Sequence, residues 1–175
     1  MGRKIGTKVI DYSVYDRTSG VAKYVEDTQT YKRPEIAMLS DEFSGAGIMG
    51  AIDLPTPGAI DAMEGELGLN GSNDRAIALF TPEAHTIEVR WAKNVLDAAT
   101  GKSVIQGNKE IIRMLPKTLD LGEIEKNEAN EGTLTYEILT YEYIVNGKSK
   151  IKIDKLNNVL IINGKDYSAE LKKAL

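Results

Sequence analysis

The chain predicts a mainly β fold with one short helix, a β-sandwich or small barrel of two packed antiparallel sheets that carries a long hairpin loop. Three observations predict it. The dominant hydrophobic period is two, as half-buried strands require. Hairpin punctuation recurs, with Asn-Gly at Asn146-Gly147 and again at Asn163-Gly164. Strands do not alternate with long helical patterns, which argues against a doubly wound parallel sheet. At 175 residues, one domain over 1–175 with a single core is expected.

The elements follow in order. Val9, Tyr12, Val14 and Tyr15 precede a turn signal at Asp16-Arg17-Thr18-Ser19-Gly20, and Val21 to Val25 forms the second strand. Residues 28–39 are extended in character, with Pro34 marking an edge or a bulge. A glycine loop and a proline cluster fill 40–58. Alternation resumes with Met63, Gly65, Leu67 and Leu69 against Glu64, Glu66 and Gly68. Asn70-Gly71-Ser72-Asn73-Asp74 supplies capping residues for a helix over Arg75–Phe80, stopped by Pro82.

Ile87, Val89, Trp91 and Val95 then share one strand face, and Glu88, Arg90 and Asn94 the other. A turn at Ala99-Thr100-Gly101-Lys102 leads into a strand from Val104 to about Lys117. Leu134, Tyr136 and Ile138 alternate with Thr133, Thr135 and Glu137. After Ile138 the phase slips to Leu139, Tyr141, Tyr143 and Val145, which predicts a bulge or two buried faces. The return strand sets Ser149, Ile151 and Ile153 against Lys148, Lys150 and Lys152. Val159–Ile162 forms the last strand, and a short helix over Ser168–Leu175 finishes the chain.

The string Gly45-Ala46-Gly47-Ile48-Met49-Gly50 matches the dinucleotide fingerprint G-x-G-x-x-G, and Glu64 and Glu66 follow near the expected distance. Its flanks argue against a nucleotide. The fingerprint needs a buried strand before it and a helix after it to receive the pyrophosphate. Here Ser40-Asp41-Glu42-Phe43-Ser44 reads as a polar turn, and Pro55, Pro57 and Gly58 stop any helix. Ile48, Met49, Ile52 and Leu54 nevertheless make the loop apolar, unlike a disordered loop. Exposed apolar side chains on a loop imply a protein partner that buries them.

Chemistry is sparse elsewhere. His85, the one histidine, has no nucleophile motif beside it and reads as structural or exposed. The acidic stretch Asp120, Glu123, Glu125, Glu128 and Glu131 lacks the calcium-loop pattern and reads as a solvated arm. The lysines at 148, 150 and 152 read as an exposed or edge strand face. No catalytic, cofactor or metal residues are expected. A net charge of −4 argues against gripping nucleic acid through the overall field. No apolar run is long enough to span a membrane. The basic start Met1-Gly2-Arg3-Lys4-Ile5 lacks the apolar stretch of a secretory signal. Absence of cysteine fits synthesis in the cytoplasm.

Several segments in sequence carry a resemblance: Gly20-Val21-Ala22-Lys23, the Gly-Ala-Gly-Ile-Met-Gly loop, Ala62-Met63-Glu64 and a short helix, then Thr100-Gly101-Lys102. Lys117-Thr118-Leu119-Asp120-Leu121-Gly122-Glu123, Tyr143 to Lys148, Ile153 to Asn158 and Asn163-Gly164 continue it. Over roughly 9–175 the chain resembles the FII-type major tail tube proteins of contractile-tailed phages and phage-tail-like bacteriocins. The resemblance implies a structural protein, with six subunits forming a ring around a shared inner β-barrel and rings stacking into a tube. It implies a sheath outside, tube-initiator or baseplate and tail terminator proteins at the ends, and tape measure protein or DNA in the lumen without stable specific nucleic-acid binding. Assembly in the bacterial cytoplasm and release in a virion or tailocin tail follow. The inter-ring contact would use Phe43, Gly45, Gly47, Ile48, Met49, Gly50, Ile52 and Leu54, and Glu64, Glu66 and Glu137 are candidates for an acidic lumen. A type VI secretion tube protein shares the implied architecture; a nucleotide-dependent enzyme and a monomeric binding module are the remaining alternatives.

Overall fold

A computed structural model describes residues 3–71 and 74–174, without the side chain of Glu170. The candidate cap residues Ser72 and Asn73, Met1, Gly2 and the final Leu175 lie outside the described residues. Twelve strands and two short helices are present among them, more strands than alternation alone separates, with the helices falling within or beside the stretches 75–80 and 168–175 where they are expected. The strands are β1 (Lys4–Asp16), β2 (Lys23–Tyr24), β3 (Thr28–Lys32), β4 (Met38–Phe43), β5 (Ile52–Ile60), β6 (Glu64–Asn70), β7 (His85–Asp97), β8 (Ser103–Asp120), β9 (Glu131–Val145), β10 (Lys148–Asp154), β11 (Val159–Ile162) and β12 (Lys165–Asp166). The helices are α1 (Asp74–Ala78) and α2 (Ala169–Ala174).

Pairing makes one ten-stranded antiparallel sheet and a separate two-stranded ribbon, β4–β5. The large sheet nearly closes on itself. β6 pairs β9, β9 pairs β8, β8 pairs β7 and β7 pairs β1. The stretch from β2 to β3 completes the circuit, because β2 pairs β1 and β3 pairs β6. Asp27, at a positive φ of 57, turns the chain between those two strands. Of the expected sandwich or small barrel, this is the barrel, and closure removes most of its edges. Inside it Val14, Leu67, Leu69, Ile87, Val89, Ile112, Met114, Leu134, Tyr136 and Ile138 are buried, with Ala76 and Leu79 of the α1 segment against them. Each large apolar side chain buried this way contributes about 1.5–3 kcal/mol.

β9 is where the sheet branches. Its first half, Glu131–Glu137, pairs β6, and its second half, Thr140–Val145, pairs β10 on the same side. Opposite β8, Arg113 faces Thr140 but Met114 faces Ile138, so Leu139 is the extra residue of a bulge. The predicted phase slip is therefore real, and its cause is a strand that changes partner midway. Asn146 and Gly147, both at positive φ, form the predicted turn into β10. Pro34 lies in the gap between β3 and β4 rather than within a strand.

Candidate functional site

The segment 40–58 is mostly strand rather than loop. Phe43 pairs Ile52, Asp41 pairs Leu54 and Ser40 pairs Pro55. Ser40–Phe43, read as a polar turn, forms an exposed strand instead. The prolines fit because each strand of a two-stranded ribbon has a free edge that asks for no amide donor. Between Met38↔Ile60 and Ser40↔Pro55 the register shifts, and Gly58, at φ +79, lies in the extra residues of β5. The turn is closed by the Ile48 N–H donating to the Gly45 carbonyl at 3.1 Å, with Gly47 and Gly50 at positive φ, as only glycine does readily.

The fingerprint string is thus the apex of a hairpin. A strand follows it where a helix would have to start, so no helix N-terminus awaits a phosphate. The whole of β4 and the first six residues of β5 are exposed, and Met49 at the tip is fully so. Phe43, Ile52 and Leu54 stand about half exposed along the arm.

A buried polar cluster gathers around the end of β3, just before the arm in the sequence. Glu110 on β8 is wholly buried. It accepts hydrogen bonds from the hydroxyls of Tyr31 and Tyr141, both at 2.5 Å, and from Arg33 Nε at 2.7 Å. A second guanidinium nitrogen sits 2.5 Å from the same carboxylate. The guanidinium also lies over the Trp91 and Tyr143 rings, 5.1 and 4.7 Å from their centroids. Burial and the Glu110 charge push the Tyr31 and Tyr141 hydroxyls above their ordinary range. Burial alone would lower Arg33, but Glu110 outweighs it and holds the cation. Strand β3 is pinned across the barrel just before the chain enters the arm. Alternation along β8 puts Glu110 in register with Ile112 and Met114, a signal that was present in the sequence and is easily passed over.

Glu88 is also fully buried, although it sits on the polar strand face as predicted. Arg17 covers it at 2.5 Å, and Arg90 pairs with it while lying 4.7 Å above the Tyr15 ring. Burial pushes the Glu88 carboxyl up, yet hydrogen bonds from Arg90 and Arg17 outweigh it and hold it below the usual range. His85 is buried and structural, with Nε2 near Thr81 Oγ1 (2.9 Å) and Nδ1 near Thr18 Oγ1 (3.4 Å).

Glu64, Glu66 and Glu137 come together on one outward face, Glu64 directly opposite Glu137. That face is not purely acidic. Lys117 pairs with Glu64 and holds its carboxyl below the usual range by hydrogen bonding. Lys155 reaches Glu137 at 2.8 Å, and Lys32 stands opposite Glu66. The acidic stretch from Asp120 to Glu131 gathers in the β8–β9 loop, and no metal-holding group occurs among the described residues.

One feature escaped sequence reasoning. β8 meets β9 only from Asn108 onward, and β2 meets β1 only at Tyr15 and Asp16. The remaining lengths, Lys4–Ile10, Ala92–Asp97 and Ser103–Gln106, form a three-stranded blade that extends past the barrel with both edges open beyond the Asn146 N–H to Gly107 carbonyl bond. Ile5, Val9, Ile10, Val104 and Ile105 are exposed on it.

The arm and the blade thus both carry exposed apolar side chains beside open strand edges. The family described as phage tail tube protein FII matches residues 13–175. The chain belongs to the phage tail tube protein FII family. It is similar to the tail tube protein of Escherichia phage P2, 26% identical over 149 residues that cover 84% of this chain and 82% of that one. In fold it is similar to a chain from the extended-state sheath/tube terminator of PVC, an extracellular contractile injection system (TM-score 0.52, 11% identity, 79% of this chain and 95% of that one). A chain from the anti-feeding prophage baseplate is similar too (TM-score 0.51, 10% identity, 80% and 97%). As a tail tube family member the chain is a tube subunit of a contractile injection system. The family match spans the barrel, the arm and the helix α2 together.

Proposed function

We propose that residues 1–175 act as one domain that forms hexameric rings, and that the rings stack through the β4–β5 arm into the hollow inner tube of a contractile tail. Residues Phe43, Gly45, Gly47, Ile48, Met49, Gly50, Ile52 and Leu54 supply the inter-ring contact. A sheath surrounds the tube, tube-initiator or baseplate and terminator proteins close its ends, and tape measure protein or DNA passes through it. Subunits assemble in the bacterial cytoplasm and leave in a virion or tailocin tail. The protein works as a conduit rather than a catalyst, and the face bearing Glu64, Glu66 and Glu137 lines the lumen.

The observation that carries this reading is the arm, a ribbon with exposed apolar side chains and no partner for them within the chain. An isolated two-stranded ribbon is at best marginally stable in water, so a neighbour that covers it supplies what the monomer lacks. Repetition amplifies the contact: a loss of about 1 kcal/mol per subunit becomes about 6 kcal/mol per hexameric step. Met49→Asp tests it. Negative-stain electron microscopy of the purified variant is expected to show rings or free subunits with native circular dichroism, where the wild-type chain makes tubes. Tubes of wild-type length in the variant would remove the arm from the contact.

A further inference from the structure

Resting on the tail tube reading, we propose that the surface receiving the arm is the basic blade of a copy in the next ring. The arm is acidic as well as apolar. From Pro34 to Asp74 the sequence holds no lysine or arginine, and the arm itself bears Asp41, Glu42 and Asp53. The blade has the opposite character. Arg3, Lys4, Lys8, Lys93 and Lys102 cluster on or beside it against Asp11 and Asp97. Asp97 is already occupied in capping the turn, where it accepts from the Ala99 and Thr100 amides.

The apolar residues on the two surfaces match as well. Ile5 and Leu96 lie side by side in the pairing of β1 with β7, and Val95 sits opposite Val104 in that of β7 with β8. Val9, Val104 and Ile105 are more than half exposed, as is Leu54 on the arm. The open edges of β1 and β8 offer unpaired backbone groups to an incoming ribbon whose own edges are free. Charge complementarity then selects register and orientation more than it adds affinity.

The two surfaces sit at different places in the fold. The root of the arm, Gly58–Ile60, lies against Ile153–Lys155 and Asn158–Val159, whereas the blade extends from β1, β7 and β8. A contact between unlike patches of identical chains is heterologous and does not close, so it propagates as a stack. The ring at one end of a stack keeps its arms free and the ring at the other end its blades, until the ends are capped.

Three variants test the pairing: Lys8→Glu with Lys102→Glu on the blade, Asp41→Lys with Asp53→Lys on the arm, and all four substitutions in one chain. Tube formation is read by light scattering and electron microscopy, with circular dichroism as the folding control. Each two-site variant is expected to raise the concentration needed for stacking at least tenfold, while the four-site chain returns to near the wild-type value. A blade variant that stacks normally, or a four-site chain that fails to recover although folded, overturns the blade as receptor and leaves the tube reading intact. Wild-type protein that forms no tubes at all overturns the functional reading itself, and this inference with it.

Discussion

Replacing Arg33 by methionine should strand a charge. Glu110 is fully buried, and the guanidinium supplies its two nitrogen contacts, at 2.5 and 2.7 Å. Without it only the Tyr31 and Tyr141 hydroxyls remain on the carboxylate. Removing one partner of a buried pair costs about 3–5 kcal/mol. Arg33 itself is about half exposed, so water fills part of the gap and the lower end applies, about 3 kcal/mol. Methionine keeps an apolar stem against Trp91 and Tyr143, which limits the loss from packing. For a chain of this length each 1 kcal/mol moves the midpoint by about 2–4 °C, so Tm should fall by about 6–12 °C. The assay is thermal and urea denaturation followed by circular dichroism in a Met49→Asp background, because assembly would otherwise add stability by mass action.

A second chain separates the stranded charge from lost packing. Combining Arg33→Met with Glu110→Leu, Tyr31→Phe and Tyr141→Phe removes every polar member of the cluster. Apolar replacement of a whole buried network is commonly near neutral. The four-site chain should therefore be more stable than the Arg33→Met chain despite three further substitutions. A loss below about 1 kcal/mol for Arg33→Met, the size of an ordinary surface pair, would refute the reasoning. So would a four-site chain weaker than the single variant.

Two further outcomes follow from the core. Gly65→Ala would place a Cβ against the ring of Tyr136, which is fully buried, so overpacking should cost about 1–3 kcal/mol; an unchanged urea midpoint would show that the ring moves freely aside. Burial, then the Glu110 charge, pushes the hydroxyls of Tyr31, Tyr136 and Tyr141 up in the folded chain. Above about pH 10 the unfolded state loses these protons while the native state keeps them. Stability is therefore full below about pH 10 and falls above it, by up to about 1.4 kcal/mol per pH unit for each tyrosine. Tyrosinate absorbance from these three should appear together with loss of circular dichroism; their titration in still-folded protein would contradict this.

Legibility in the sequence followed the physics of alternation. Long half-buried strands announce themselves, so β7, β8, β9 and β10 were readable, and the phase slip located the bulge at Leu139. Pairing partners are harder: nothing in a one-dimensional pattern says that β9 serves both β6 and β10 along one edge. Pro55 and Pro57 masked β5, because proline argues against a central strand but not against a free ribbon edge. Glu88 was assigned to the polar face, where it does lie, yet Arg17, arriving from the turn after β1, joins its near neighbour Arg90 to bury it. Tertiary cover of that kind depends on residues far apart in sequence. The resemblance to the tail tube family was readable over nearly the same stretch that the family match spans.

The fold divides its labour in a way that makes folding and assembly separable. The barrel closes through β6, β9, β8, β7 and β1, and its core is filled by side chains of one chain. The arm and the blade are left outside that closure, with open edges and exposed apolar side chains. A chain with exposed strand edges normally risks indiscriminate aggregation. Here the arm carries only acidic charge, and arm-on-arm pairing would bring like charges together. The blade's cations repel a second blade for the same reason. In the proposed arm-on-blade stacking, like-charge repulsion closes two wrong pathways and leaves open the one between unlike surfaces. Substitutions in the Glu110 cluster should therefore move Tm and leave the stacking register unchanged. Charge changes on the arm should move stacking and leave the Tm of the unassembled subunit, read in the Met49→Asp background, unchanged; a fall in that Tm would show that the arm contributes to the core after all.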